Sequence, residues 1–327
     1  MRGFLTVTIS LFVMALLAMH GHAEDLRRKF PPDETLKVPS LTLTEEQFLR
    51  GDKVNGVVVM LTGELRFPNW NAHLPAVVLL HGSDGHKSGS ALGWRDFLNQ
   101  MGVATLRLNS FSGRGIYRAR KNESQLSLFA QIYDTYRAVE VLAAHPRIDP
   151  SRIAVMGFSR GGFAALYSSM RRFQNLYGPT GARIAAHLPV YPPCNIELVG
   201  EFDIADAPIR EFHGAADDSA LVAPCRAYIE RLRAIGKDVT MTEYPGALHS
   251  FDDSINPLGF IVQKGQTPRK CQHREDDGKI INIETRRPLT YDDACVEFGT
   301  TAGFDEAATE AAQGAVKAFL AEVFRLN

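Results

Sequence analysis

The sequence "IAVMGFSRGG" at residues 153–162 combines an apolar run, one serine and three glycines. The run 153–158 is typical of a strand buried on both faces, and the residues that follow predict a helix rich in small side chains. A G-x-S-x-G motif at such a junction holds its serine on a sharp turn, with the hydroxyl raised above the sheet. The motif alone is weak, but this context predicts that Ser159 is a nucleophile rather than an ordinary turn serine.

A dinucleotide-binding loop is the competing interpretation of a strand, glycines and a helix in this order. That fingerprint requires G-x-G-x-x-G, and Ser159 stands where its second glycine would be. A second candidate, Gly113-Arg114-Gly115, lacks the third glycine. The sequence therefore argues against a dinucleotide cofactor.

The elements around this motif alternate between β-rich runs and helical patterns, which predicts an α/β fold with a mostly parallel central sheet and helices on both faces. The first strand is expected to belong to an antiparallel leading hairpin. Strands are predicted at 55–65, 75–80, 103–109, 153–158, 183–191, 207–214 and 238–246, and helices at 124–144, 221–236 and 305–324.

Composition and the N-terminal leader limit the partners and the compartment. The chain has 327 residues, a net charge of −1 and no basic patch, so neither nucleic acid nor an anionic membrane surface is an expected partner. Residues 1–23 have a signal-peptide pattern, with cleavage expected after Ala23 and no stable membrane association afterwards. The alternative, an uncleaved anchor helix, is disfavoured because the apolar stretch is short for a bilayer. Residues 24–327 are then predicted to form one exported domain.

A nucleophilic serine requires a base, and the base requires an acid that orients it. In this fold class both follow later strands, in the order serine, acid, histidine. Asp217 and Asp218 come just after the strand that ends near Phe212, and His249 follows the next strand. The rival base is His273, and the choice between the two acids is open at this point.

An oxyanion formed at the serine requires two backbone N–H donors. The amide of Arg160, at the start of the helix after Ser159, is the first candidate. The loop "HGSDGHKSG" follows an early strand at residues 81–89 and offers the amide of Ser83 as the second. The two amides are predicted to form the oxyanion hole.

These residues together resemble the α/β-hydrolase fold and, within it, the dienelactone hydrolase family. The resemblance covers roughly residues 55–260 and the closing helix, through "LLHGSDG", "RIDPSRIAVMGFSRGG", "FHGAADDSALVAPC" and "YPGALHSFD". The family's G-x-x-D spacing runs from Gly214 and selects Asp217 over Asp218. His249 matches the family's late histidine. Founding members of the family use a cysteine nucleophile and open a lactone that carries a carboxylate. Because this chain has a serine instead, the resemblance implies ester or lactone hydrolysis but does not imply that substrate.

The resemblance also implies positions for the cysteines and for a tentative substrate-binding residue. Cys194 and Cys225 would lie near the rim that carries the active site, so the expected disulfides are Cys194–Cys225 and Cys271–Cys295, although three pairings are possible. Residues 264–297 are predicted to be an insertion with a tight turn at Asp277-Gly278, whose role the sequence does not indicate. Arg114, or the side chain of Arg160, is a candidate for holding a substrate carboxylate.

The sequence thus predicts an exported serine hydrolase, periplasmic or secreted, that cleaves small-molecule esters or lactones through Ser159, Asp217 and His249. No metal or organic cofactor is expected, because the cysteines contain no CxxC pair and the chemistry requires none. Two alternatives stay open: a peptidase of the same fold, and a catalytically silent hydrolase-like binding protein.

Overall fold

A computed structural model of the chain describes residues 31–256 and 259–326. The predicted signal peptide lies outside these residues. Among the residues described, no helix is long and apolar enough to cross a membrane. The strands are β1 Glu34–Thr42, β2 Val57–Arg66, β3 Leu74–Leu80, β4 Ala104–Asn109, β5 Ile148–Phe158, β6 Ile184–Val190, β7 Ile196–Glu197, β8 Ile209–Gly214, β9 Val239–Tyr244, β10 Phe260–Thr267, β11 His273–Asp276, β12 Lys279–Asn282 and β13 Glu297–Ala302. The helices are α1 Glu45–Leu49, α2 Gly89–Gln100, α3 Leu128–Ala143, α4 Arg160–Tyr167, α5 Arg171–Tyr177, α6 Val222–Ala234 and α7 Glu306–Phe324.

The central sheet has eight strands in the order β1-β2-β4-β3-β5-β6-β8-β9. β1 pairs with β2, and β2 with β4, in antiparallel register, whereas β4, β3, β5, β6, β8 and β9 are parallel. This confirms the predicted α/β class and its mainly parallel sheet. The loops that follow β3, β5, β8 and β9 leave the same end of the parallel strands, and they carry Ser83, Ser159, Asp217 and His249, while Arg160 begins α4 directly after Ser159.

The sheet is covered on both faces, as its continuous apolar strands predict. One hydrophobic cluster packs α3 and α4 against the sheet and includes Tyr136 and Phe163. The other packs α2 and α7 against the opposite face and includes Trp94 and Leu320. All seven residues of β3 are buried, which explains why its sequence contains no polar alternation.

The helix predicted at 124–144 begins later, at Leu128. The hydroxyl of Ser127 accepts a hydrogen bond from the amide of Phe129 and so caps the helix, while 123–125 form a separate 3₁₀ turn. The helices α1, α2 and α5, and the edge strand β1, were not predicted. α1 and α5 are each shorter than two helical turns, so their sequences are too short to show a helical periodicity.

The segment predicted as an insertion folds into small sheets of its own. β10 pairs with β13, and β11 and β12 form an antiparallel hairpin whose turn is Asp277-Gly278. Both turn residues have positive φ (45° and 70°), as a two-residue hairpin turn requires. β11 also pairs in parallel with β7, which ties the hairpin to the loop after β6.

Both expected disulfides are present in the structure. Cys194 and Cys225 are joined by an S–S bond of 1.98 Å, which links the loop after β6 to α6. Cys271 and Cys295 are joined at 2.10 Å, which closes a loop around the β11–β12 hairpin. The second bridge therefore holds both ends of the insertion together.

Candidate active site

Ser159 lies between β5 and α4 in a backbone conformation that non-glycine residues rarely adopt, with φ 53° and ψ −116°. Glycine is required on both sides of it, because a Cβ at Gly157 would overlap the carbonyl of Gly161 and one at Gly161 would overlap the carbonyl of Leu80. The amide of Ser159 donates to Val190 O at 2.9 Å, which fixes the turn. The two glycines therefore allow the tight approach, and the strain is concentrated at the serine.

The structure brings Ser159, His249 and Asp217 into one hydrogen-bonded chain. His249 Nε2 lies 3.0 Å from Ser159 Oγ, and His249 Nδ1 lies 2.7 Å from Asp217 Oδ2. Asp217 and His249 are 4% and 7% exposed, so the contacts are shielded from water. The geometry corresponds to a nucleophile, a base and an orienting acid.

Hydrogen bonds to Oδ1, the oxygen that does not contact His249, hold the Asp217 carboxylate in place. Oδ1 accepts hydrogen bonds from the amides of Ser219 at 2.8 Å and Ala220 at 2.9 Å. Burial alone would raise the pKa of Asp217, but attraction to His249 and hydrogen bonds from His213 and His249 hold that pKa well below its usual range. The carboxylate is therefore ionised and fixed at neutral pH.

A second histidine, His213, lies beside the same carboxylate and was not predicted to take part in the site. Its Nε2 is 3.5 Å from Asp217 Oδ2 and 2.8 Å from Ala220 O, and its Nδ1 is 3.1 Å from Glu211 Oε1. Burial would lower its pKa, but hydrogen bonds to the two carboxylates outweigh this and raise the pKa to about 10. His213 is therefore a buried cation next to Asp217. The sequence showed only a histidine that closes a strand.

The rival residues lie outside the hydrogen-bonded chain of Ser159, His249 and Asp217. Asp218 accepts hydrogen bonds from the amide of Thr301 at 2.7 Å and from its hydroxyl at 3.2 Å. A further carboxylate, Asp252, follows His249 closely in the sequence and accepts hydrogen bonds from Ser90, Trp94 and Tyr191 at 2.9, 2.7 and 2.6 Å. His273, in β11, lines the same pocket as Ser159 without contacting it. None of the three is bonded to Ser159 or His249.

The two amides predicted for the oxyanion hole both border the pocket that contains Ser159. The loop after β3 lies close to Ser159, since a Cβ at Gly82 would come within 3.3 Å of the Cβ of Ser159. Within the described residues, neither the amide of Ser83 nor that of Arg160 donates a backbone hydrogen bond. Both donors are therefore free for a ligand.

Arg114 does not reach the pocket, and its prediction as a substrate-binding residue is wrong. Its guanidinium is 4% exposed and pairs with Asp134 through two hydrogen bonds of 2.7 and 2.9 Å. The remaining N–H groups donate to Thr42 Oγ1 and to the carbonyls of Ser110 and Leu41. All five donors are used inside the protein, which leaves none for a carboxylate.

The side chain of Arg160 is likewise engaged, although it borders the pocket. It pairs with Glu123 at 2.9 Å and donates to Leu126 O at 2.7 Å. The residue is 2% exposed. A substrate carboxylate would have to compete with Glu123, so the arrangement does not favour that role.

The pocket is a cavity of about 130 Å³ that the insertion helps to enclose. The loops that carry Ser159, Asp217 and His249 form one part of its wall, and α1, α3, the loop after β6 and the segment 262–302 form other parts. The insertion therefore covers the candidate site, a role the sequence did not indicate. The lining residues from the segment 262–302, which contains the insertion, are Val262, Gly265, Gln266, Thr267, Pro268, His273, Ile280, Leu289, Tyr291, Thr300 and Ala302.

Among the residues described, one grouping has the spacing of metal ligands, formed by Cys194, Cys225 and Glu211. The two sulfur atoms are joined in a disulfide, so they are not thiolate ligands. No step of the chemistry below uses this group.

Comparison with known proteins agrees with this geometry. A family model described as the Dienelactone hydrolase family matches residues 113–277, which is half of the chain and contains Ser159, Asp217 and His249. The chain belongs to the dienelactone hydrolase family. Membership supports ester hydrolysis and a small-molecule substrate.

Solved structures similar to this member of the family share its fold at low sequence identity. A dienelactone hydrolase-like promiscuous phosphotriesterase from metagenomic libraries is 16% identical, with a TM-score of 0.56 over 89% of this chain and 98% of that one. A putative dienelactone hydrolase from Klebsiella pneumoniae is 16% identical, with a TM-score of 0.52 over 88% and 99%. Est1E from Butyrivibrio proteoclasticus is 17% identical, with a TM-score of 0.50 over 82% and 96%.

Proposed function

We propose that this chain is an exported serine hydrolase that cleaves carboxylic esters or lactones through an acyl-enzyme. Ser159 is the nucleophile, His249 the general base and acid, and Asp217 the residue that orients His249. The observation that carries the proposal is the continuous contact from Ser159 Oγ through the imidazole to Asp217 Oδ2, at 3.0 and 2.7 Å.

The first half of the reaction forms the acyl-enzyme. Nδ1–H of His249 donates to Asp217, which leaves Nε2 as an acceptor for the Ser159 proton. As Oγ attacks the carbonyl carbon, the proton moves to Nε2 and the carbonyl oxygen becomes an oxyanion. The free amides of Ser83 and Arg160 are the proposed donors to it. When the tetrahedral intermediate collapses, the C–O bond to the alcohol breaks and His249 returns the proton to that oxygen.

The second half releases the acid. Water gives a proton to Nε2 of His249 and attacks the acyl carbonyl, again with the oxyanion held by the two amides. The bond to Oγ breaks, the proton returns to Ser159, and the carboxylic acid leaves. A lactone follows the same steps, with the alcohol and the acid leaving as one molecule. Apart from the substrate and this water, every group that these reaction steps require belongs to a residue of the chain.

We propose that the single domain at residues 24–327 is exported to the periplasm or to the medium. Two disulfides support it, because such bonds persist mainly in oxidising compartments. The signal-like leader at residues 1–23 is a sequence-based reason for the same compartment.

Turnover of p-nitrophenyl acetate and butyrate by the wild-type protein and by Ser159→Ala tests the proposal. We expect the variant to lose at least about a thousandfold in kcat, since the nucleophile is removed. Ser151→Ala is the matched control, because Ser151 is exposed near the start of the same strand and should keep full activity. Equal turnover by Ser159→Ala and wild type would contradict the proposal, and turnover of peptides but not esters would favour the peptidase.

A further inference from the structure

Three polar side chains on the wall of the active-site pocket have no hydrogen-bond partner among the described residues. They are Glu45 from α1, His273 from β11 and Tyr291 from the loop before β13, and we call them the polar wall. The α1 helix is fixed beside the hairpin by ion pairs of Arg50 with Asp277 and of Lys279 with Glu46. The wall is therefore assembled by the insertion against the N-terminal part of the chain.

His273 is the clearest of the three. It is 4% exposed, it lines the pocket, and its Nε2 is buried with no partner. The Glu45 carboxyl and the Tyr291 hydroxyl likewise make no hydrogen bond or ion pair within residues 31–256 and 259–326. A buried polar atom without a partner loses its hydration without compensation, so Nε2 of His273 indicates that a ligand supplies the missing partner. Glu45 and Tyr291 are half-buried, line the same pocket and offer that ligand two further polar groups.

The charges around the wall indicate which ligand chemistry fits. The two arginines that line the pocket are already neutralised, Arg160 by Glu123 and Arg120 by Asp84, so none of the described lining residues is a free arginine or lysine cation for an anionic ligand. Burial raises the pKa of Glu45 to about 7, partly offset by Arg160, and burial lowers the pKa of His273 to about 4. At neutral pH the wall is thus a carboxyl close to its midpoint, a neutral imidazole and a phenol. Such a set both donates to and accepts from a hydroxyl group.

Apolar side chains also line the pocket, namely Leu128, Phe129, Phe163, Ile196, Ile280 and Leu289. A cavity of about 130 Å³ is close to the cavity of about 150 Å³ that holds one benzene molecule. The occupant is therefore about one ring in size, apolar along its sides and polar at one point.

We propose that the polar wall binds an uncharged hydroxyl group on a ring-sized part of the ester, so that the enzyme prefers hydroxylated esters to their deoxy analogues. This inference rests on the proposed function, since it concerns the same pocket. The insertion then serves substrate selection as well as covering the site.

The test compares methyl 3-phenylpropanoate with its 3-hydroxyphenyl and 4-hydroxyphenyl analogues, together with a 4-carboxyphenyl analogue. We expect kcat/KM to be at least about tenfold higher for one hydroxylated ester than for the parent, because the analogue without the hydroxyl leaves the buried Nε2 of His273 unpaired. The carboxylate should be the poorest substrate. Equal values for the parent and both hydroxylated esters would overturn the inference.

Variants locate the preference on the polar wall. In Glu45→Gln, His273→Leu and Tyr291→Phe, the ratio of hydroxylated to parent kcat/KM should fall toward 1, and the ratio cancels any loss common to both esters. Glu284→Gln is the matched control, since Glu284 is an exposed glutamate of the same insertion that does not line the pocket and should keep the wild-type ratio. A wild-type ratio in all three wall variants would contradict the assignment.

Binding to Ser159→Ala separates this inference from the proposed function. Calorimetric titration of that variant with the intact esters needs no turnover, and the hydroxylated ester should bind at least about tenfold more tightly. Equal affinities would overturn the polar wall even if the wild type hydrolyses esters. A clear preference in binding with no hydrolysis by the wild type would support the wall and reject the proposed function.

Discussion

Nε2 of His213 lies 3.5 Å from Oδ2 of Asp217, the same oxygen that contacts His249 at 2.7 Å. The candidate acid is thus shared between two histidines, one facing the serine and one facing Glu211. Because His213 is a buried cation, it favours the ionised form of Asp217 without approaching the substrate. We regard it as a positioning residue.

Replacing His213 by glutamine tests its charge through the pH dependence of stability. The pKa of His213 is raised to about 10 in the folded protein from an ordinary value of about 6.5. Its contribution is therefore complete below about pH 6.5 and is lost as the pH rises through about 10. The melting temperature of His213→Gln should lie several degrees below wild type at pH 6, and the difference should narrow by pH 9.5. A difference that does not change with pH would mean that His213 is neutral.

The strain at Ser159 leads to a prediction about stability. Because φ is 53° and ψ is −116°, an L side chain is held there at a cost of about 1–3 kcal/mol, and glycine avoids most of it. Ser159→Gly should therefore be about 1 kcal/mol more stable than Ser159→Ala in urea unfolding, with both inactive. Ser151→Gly and Ser151→Ala are the control pair, since glycine in an ordinary strand should make the protein less stable than alanine does. If Ser159→Gly is no more stable than Ser159→Ala, the turn is not strained.

Arg114 should act on stability rather than on substrate affinity. Arg114→Met leaves the Asp134 carboxylate buried without its partner, which costs about 3–5 kcal/mol. Urea unfolding should show this loss, while KM of the remaining folded enzyme stays unchanged. The double variant with Asp134→Leu should recover most of the stability. A raised KM with normal stability would restore Arg114 as a substrate-binding residue.

The Cys271–Cys295 disulfide should hold the insertion in place over the pocket. It spans 24 residues, and removing it from the native protein should cost about 3 kcal/mol by the entropy of loop closure. In the Cys271→Ser, Cys295→Ser double variant, hydrogen exchange should accelerate at residues 273–282, and KM should rise more than kcat falls. Unchanged exchange and KM would show that β-pairing alone holds the insertion.

The sequence predicted the parts of the fold and site that depend on local patterns. The apolar runs located most central strands, and the glycines on both sides of Ser159 located the turn because only glycine fits there. Strand order led to His249 and to either Asp217 or Asp218, since parallel strands end at one edge, and the family's G-x-x-D spacing then selected Asp217.

The parts that sequence could not predict depend on long-range packing. Arg114 was misread because its partner, Asp134, is brought to it by the helix α3 rather than by proximity in sequence. The covering role of the insertion depends on the pairing of β11 with β7, a contact between distant segments. His213 could have been noticed as a histidine close to the predicted acid, but its charge depends on Glu211 and on burial.

The most direct test of the central claim is the site of covalent capture. Intact protein incubated with a fluorophosphonate, digested and mapped by mass spectrometry should carry one phosphonyl group on the peptide that contains residues 153–162, at Ser159. His249→Ala should be labelled far more slowly, because the serine has lost its base. A modification at another residue, or none on folded wild-type protein, would contradict the account.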